Sequence, residues 1–552
     1  MTKNFSIEKF AFLVIVVLYL IYAAVYIEKT SFTVGKQTYY ALFDDAMISM
    51  RYAKNLAHGA GLVWNPNGER VEGFTNPLWV LLMSFFHLFP IPASKISLFI
   101  QICGALFLTA NLFFVRKIVL SISRNAWVAF IAVFLTAFYY SLNNWGLQGM
   151  EVSLLTLMVN IAVLLFIKRL QEGGFSPIPY LILALATLVR VDASVIFGAA
   201  LLFLIISDRE HRKQHLVWGS SLLFAFLAGQ TILRYWYYGE FLPNTYYLKM
   251  TGIPLWFRVG HGIYVFLQSV WVSNWVIFVL AATVLITQRN RYTLLLTAIF
   301  VFQCLYSMYV GGDAWEHKGG TNRFISTVMP LFFVLFSFSL DNLRALLTTT
   351  LQPKLQFASK LVMVGFAIAA LFSLNTILEK DGPKKWLLIK QPIFAAGSEY
   401  QTKIGLTIKK ITHPQATIAV ITAGNIPYFS ERNAIDLLGK SDKVVARTKM
   451  HTSLTLDELT IGYRPGHTKW DYAYSIGKLK PDVIAQTLAQ FNDEEAAPYL
   501  EGFYRLVTIN GNPYYLRSDS PYIIWDKVEE MRDKSDRITP NPILEDLVQP
   551  QE

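Results

Sequence analysis

Long apolar runs separated by short polar loops fill the first two thirds of the chain. Stretches free of Asp, Glu, Lys and Arg occupy 10–27, 96–115, 126–142, 152–167, 177–189, 193–207, 216–233, 259–287, 293–310, 325–340 and 361–378. A helix needs roughly 20 apolar residues to cross the hydrocarbon of a bilayer. These eleven runs therefore predict about eleven spans, the shorter ones extended by uncharged or interfacial flanks. The run from Leu78 to Ile91 has only 14 residues, with His87 inside it and Pro90 near its end. It predicts an interfacial or re-entrant helix. After about residue 379 the pattern changes to short apolar runs, "ATIAVITAG", "NAIDLLG" and "DVIAQTL", followed by "YRLVTINGNPYYLRS", which reads as a hairpin around Asn510 to Asn512. The organisation expected is a membrane domain over 1–378, with a first outer loop at 28–95, an α/β domain over 379–536 and a loose tail over 537–552.

Composition agrees with this pattern. Of 552 residues, 54% are hydrophobic and 16% charged, and the mean hydropathy of +0.38 exceeds that of soluble domains. The lipid bilayer is thus a partner. The net charge of +11 forms no single basic block, so it reads as membrane topology and not as a nucleic-acid surface. With the amino terminus inside, Lys3 and Lys9, Arg116, Lys117 and Arg124, Lys168 and Arg169, Arg209, Arg212 and Lys213, Arg289 and Arg291, and Arg344, Lys354 and Lys360 all fall on the inner side. This holds only if Leu78 to Ile91 does not span. The first apolar run then reads as a retained anchor, and the loop after it, together with the carboxy-terminal domain, lies outside the cytoplasm. Cys103 and Cys304 both sit in apolar runs and read as buried small residues.

The first outer loop carries the chemistry: "FDDAMISMRYAKNLAHGAGLVWNPNGERVEGFTNPLW" from Phe43 to Trp79. A helix over 44–58 lines Ala46, Met50, Ala53 and Ala57 along one face and Asp44, Arg51, Lys54, Asn55 and His58 along the other, with Asp45 to the side. This predicts an amphipathic helix at the membrane surface, ended by Gly59 and Gly61. For the two carboxylates the helix alone leaves two readings open. Asp44 can be an N-cap and Asp45 a first-turn residue favoured by the helix dipole, or the pair can be reactive.

This stretch resembles the first outer loop of the GT-C superfamily of integral-membrane glycosyltransferases. It is most similar to the bacterial branch containing the mycobacterial terminal arabinofuranosyltransferase AftB. "GLQGME" at 146–151, "LVRVDA" at 188–193, "RYWYYGEFLPNTYYLK" at 234–249, "GGDAWEHKGGTNRF" at 311–324, "AGNIPYFSERNAIDLLGKSD" at 423–442 and "RPGHTKW" at 464–470 extend the resemblance along nearly the whole chain. It implies a mainly α, polytopic helical GT-C fold in a bacterial plasma membrane. The implied activity is inverting transfer of a sugar, arabinofuranose among the candidates, from a polyprenyl-phosphate donor to a hydroxyl of an envelope glycan, glycolipid or glycoprotein. The implied base is an acidic residue of the first loop. Asp44, on the face shared with Arg51, is the first candidate, and Asp45 is the second, as a neighbour that orients substrate or raises the base's pKa.

Basic residues facing such a donor would hold its phosphate. Arg51, Lys54, Arg234, Asn244 and Lys249 are the candidates, although the aromatic segment around Arg234 also fits a membrane belt with basic anchors. His58, Glu72, Asn76, Asp313, His317, Lys318 and Arg323 are candidates for contact with the acceptor or support of the site. Asp313 and His317 would share a metal if helical, but four nearby glycines favour a loop. A divalent cation stays open as cofactor. No nucleotide or redox cofactor is expected, since neither a Walker A sequence nor GxGxxG occurs. Arg190 and Asp192 read as a mutual ion pair. A lipid or polysaccharide transporter and a membrane-anchored interaction protein remain as other classes.

Overall fold

In a computed structural model, the protein is described over residues 7–316, 322–348, 353–376, 381–486 and 493–533. Among these residues seven helices are long and apolar enough to cross a membrane, and up to nine if each of two bent pairs is one span. Within the described residues all eleven apolar runs form helices, but not all as single straight spans. Ala126–Phe138 and Tyr140–Leu147 meet at 50°, and Leu255–Val272 turns through 93° into the helices over 275–287. The second bend falls at Asn274, whose φ of +71° cannot continue a helix. Ile178–Val189 and Ala193–Ser207 have 12 and 15 residues and are separated by the turn at Arg190 to Asp192. The Leu78 to Ile91 run forms Pro77–His87, 11 residues opened by its proline. Such a helix rises about 16 Å, half the hydrocarbon thickness.

The first helix, Ile7–Thr30, leads through a small antiparallel ribbon, Phe32–Val34 with Gln37–Tyr39, to the helix Asp44–Ala57. That helix ends where expected, at Gly59 with φ +81°. Its setting differs from the expectation of a surface helix with a wet polar face. Arg51 and Asn55 are buried along with Met50 and Ala53, Arg51 against the carboxy-terminal domain and Asn55 against the carbonyls of Val63 and Trp64.

That domain is built on a five-stranded sheet in the order Asn433–Asp436, Thr417–Val420, Val483–Ile484, Asn512–Arg517, Tyr504–Ile509. The first three strands are parallel and the last two form an antiparallel hairpin. Asn510 and Gly511 turn the hairpin with positive φ, as an Asn-Gly pair favours. Ile404, Ile408, Ile426, Tyr428 and Phe429 belong to the same hydrophobic cluster as the membrane helices. The domain therefore shares a core with the membrane body. Both the expected boundary at 378 and the tail over 537–552 lie outside the described residues.

Candidate active site

Asp44 and Asp45 are the first two residues of their helix, preceded by Phe43, which makes no side-chain cap. Neither therefore serves as N-cap. Successive helical residues point about 100° apart, and the two carboxylates go to different partners. Asp44 turns to the carboxy-terminal domain and accepts the backbone N–H of Asn425 at 2.8 Å and of Gly424 at 3.2 Å. Asp45 turns inward. It accepts Lys440 Nζ at 2.6 Å on one oxygen, and Arg323 Nη1 at 2.9 Å and Trp315 Nε1 at 3.4 Å on the other.

Arg323 is fixed from its other side. Its Nε and Nη2 donate to Asp313 at 2.7 Å each, and Asn322 caps its short helix by accepting the N–H of Ile325. Burial raises the Asp45 carboxyl, but Lys440, Arg323 and Lys249 outweigh it and hold the group well below the usual carboxylate range. Asp44 is only 7% exposed. Burial raises it to about 6, against the pull of Lys440 and the Asn425 amide. His467 packs its ring edge against Trp315, and burial pushes its pKa down to about 3, so it is neutral there.

Most of the cations expected at a donor phosphate are committed elsewhere. Arg51 donates to the carbonyls of Trp64, Pro427 and Arg432 and to the Asn65 side chain. It clamps the first loop to the carboxy-terminal domain. Lys54 pairs with Glu431 at 2.8 Å. Arg234 pairs with Glu72, joining two candidates to each other. Asn244 donates to the carbonyls of Gly439, Lys440 and Asp442. His58 lies exposed at the far end of its helix and bonds the Lys54 carbonyl. Asn76 bridges Ser49 and Glu151, and Glu151 continues through Arg190 to Asp192. His317 and Lys318 lie outside the described residues.

Lys249 is the exception. Among the described residues its ammonium has no hydrogen-bond or ion-pair partner. Burial and the charges of Arg323 and Lys440 lower its pKa to about 8, with Asp45 and Asp313 pulling the other way. The described residues hold no group of three or more His, Cys, Asp or Glu able to bind a metal ion.

Sequence reasoning passed over Lys440, Trp315 and the Gly424 and Asn425 amides. The available signals were the segments 311–324 and 423–442 that carry the resemblance, and within the second "DLLGKSD", whose Asp and Gly mark a tight turn. Nothing in the spacing indicates that this turn meets Asp45, almost 400 residues earlier.

The fold matches that of solved structures. ArnT from Cupriavidus metallidurans in the apo state aligns with a TM-score of 0.56 at 13% identity, covering 91% of this chain and 97% of that one. The same protein bound to undecaprenyl phosphate aligns with 0.56 at 12%, covering 92% and 98%. The Archaeoglobus fulgidus oligosaccharyltransferase aligns with 0.54 at 11%, covering 95% and 76%. At these identities the likeness is one of fold: a mainly α, polytopic GT-C architecture with a carboxy-terminal α/β domain. Residues 391–525 match a family described as a domain of unknown function, DUF8728. No curated protein sequence matches the chain.

Proposed function

We propose that the protein is a membrane glycosyltransferase that moves a sugar from a polyprenyl-phosphate donor to an acceptor hydroxyl at the outer face of a bacterial plasma membrane, with inversion. The carrying observation is the buried cluster of Asp45, Arg323, Asp313, Lys440 and Lys249, in which one carboxylate faces several cations. The GT-C architecture, shared with a protein solved with undecaprenyl phosphate, supports a lipid-linked donor. The first-loop pattern supports arabinofuranose and an envelope glycan or glycolipid as donor sugar and acceptor.

In this reading the acceptor oxygen attacks the anomeric carbon and Asp45 takes its proton. The bond from that carbon to the phosphate oxygen breaks, and the polyprenyl phosphate leaves with the electron pair, stabilised by Arg323 and Lys249. We take Asp45 and not Asp44 as the base because Asp45 lies among the cations that would receive the departing phosphate, whereas Asp44 faces the Gly424 and Asn425 amides. The low pKa of Asp45 belongs to the donor-free enzyme. A phosphate shared among the same cations would raise it toward the range a general base needs.

Reconstituted full-length enzyme with radiolabelled polyprenyl-phosphate sugars tests the reading. Label appearing on an acceptor supports it. Label that only crosses the bilayer makes the protein a transporter, and neither outcome leaves an interaction protein.

A further inference from the structure

The cations around Asp45 are not equivalent, and the difference lies in what else each one holds. Arg323 is locked, with two of its nitrogens on Asp313 and its backbone N–H also on that carboxylate at 3.0 Å. It cannot leave Asp45 without breaking a buried bidentate pair. Lys440 is built the opposite way, with a fixed backbone and, among the described residues, a single contact at its ammonium. Asp436, fully buried at the end of its strand, accepts the N–H groups of Leu438, Gly439 and Ser441. Gly439 takes a φ of +77° in that turn, and Asn244 holds the carbonyls on either side of Lys440 from the membrane domain. The loop is thus fixed from both domains. Beyond it, the ammonium has a single side-chain partner among the described residues, one oxygen of Asp45.

Resting on the donor class proposed above, we propose that Lys440 is a catalytic residue supplied by the carboxy-terminal domain: its ammonium leaves Asp45 for the donor phosphate, freeing the carboxylate to act as base. A four-carbon stem with rotatable donors suits such a transfer, whereas a forked guanidinium pinned on Asp313 does not. The device couples chemistry to occupancy. Without donor, Asp45 is neutralised on both oxygens and is a poor base. With donor, it keeps Arg323 on one oxygen and exposes the other. The domain matched at 391–525 thereby gains a specific task, which is to deliver one lysine to a carboxylate of the first loop.

Binding tests this without requiring turnover. The probe is undecaprenyl methyl phosphate, a phosphodiester that keeps one charge across the working pH range, titrated into full-length protein in detergent. If Lys440 moves to the phosphate, the Asp45 pKa is higher in the bound state, so the complex takes up a proton and affinity strengthens as pH falls from 7 toward 5. Lys440→Gln should bind about tenfold more weakly at pH 7 and lose that pH slope. Asp45→Asn, which leaves the lysine loop intact, should bind at least as tightly as wild type and also lose the slope, both compared in an Asp44→Asn background because Asp44 titrates near 6 beside the same lysine. That second variant carries the decision should Lys440→Gln not fold. Unchanged affinity and slope in Lys440→Gln, or a slope that persists in Asp45→Asn, overturns the proposal while leaving a lipid-phosphate donor standing. A wild-type protein that does not bind the probe removes the donor reading and this proposal with it.

Discussion

Two sets of buried charges involve the first loop and look alike in sequence. In one, Glu72 meets Arg234, and Asn76 leads through Glu151 and Arg190 to Asp192. In the other, Asp45 and Asp313 meet Arg323, Lys440 and Lys249. The first joins membrane helices to the loop, each cation bound to acid and the cluster carrying no spare positive charge. The second draws from four separate segments and holds one cation with a single partner and another with none among the described residues. A closed set of ion pairs can only brace, because every group that might bind substrate already has an occupant. An incompletely paired set has binding capacity left.

Substitutions should separate the two clusters sharply. The largest effect is expected for Asp45→Asn. Transfer by the folded enzyme should fall by about 10²- to 10⁴-fold, the usual contribution of a positioned general base, and loss of the ion pairs to Lys440 and Arg323 should lower the thermal midpoint as well. Asp44→Asn should lose less than about tenfold, because the amide oxygen still accepts the Asn425 N–H. Rate measurements at saturating donor and acceptor check this, and a larger loss for Asp44→Asn would return the base to that residue.

The bracing cluster should answer in stability. Arg234→Gln leaves Glu72 buried without its counter-charge and should cost about 3 to 5 kcal/mol, visible as a lower thermal midpoint. The folded fraction should keep its donor KM. Lys249→Gln should do the reverse, raising donor KM roughly tenfold through loss of one charge-assisted hydrogen bond of about 1.5 kcal/mol or more, with the midpoint unmoved. Equal stability losses in both variants would erase the distinction between the clusters.

A further effect concerns pH. The Asp44 pKa is about 6 in the folded protein, above the ordinary aspartate value near 4 that it regains on unfolding. Its native state therefore binds the extra proton. The associated stability is fully present below about pH 4 and is lost as pH rises through 6, by up to about 3 kcal/mol. The difference in thermal midpoint between wild type and Asp44→Asn, followed from pH 4 to 7, should isolate this term. A difference independent of pH would mean that Asp44 does not titrate where it is held.

Much of the fold could be read from the chain. The eleven apolar runs became helices, Gly59 ended the loop helix, and the Asn-Gly pair turned its hairpin. These depend on local backbone preference and on the sheer length of apolar sequence. Bends were harder, because a bent pair such as Ala126–Phe138 with Tyr140–Leu147 has the same hydropathy as a straight span. For the site, the chain gave residue types but not partners. Arg51, Lys54, Arg234 and Lys249 are all cations near aromatic residues, and only their contacts show that the first three are committed. Arg51 in particular faces away from solvent onto three carbonyls, two of them in the carboxy-terminal domain, which no helical wheel reveals.

The sequence by itself determined a polytopic membrane chain, a reactive-looking pair of acids at the start of a short helix, and a separate α/β segment after the last span. Each follows from interactions within a few turns of chain, namely hydrophobic length, helix periodicity and turn chemistry. Only the tertiary structure decided which partners each acid meets. That choice depends on Gly424 and Asn425 reaching Asp44, and on Lys440 and Arg323 reaching Asp45, across 278 to 395 residues for the side-chain pairs. The energy of a buried charge is set by the groups within a few ångströms of it in space. Adjacent positions in the chain can therefore have opposite fates, and local sequence has no means of telling them apart.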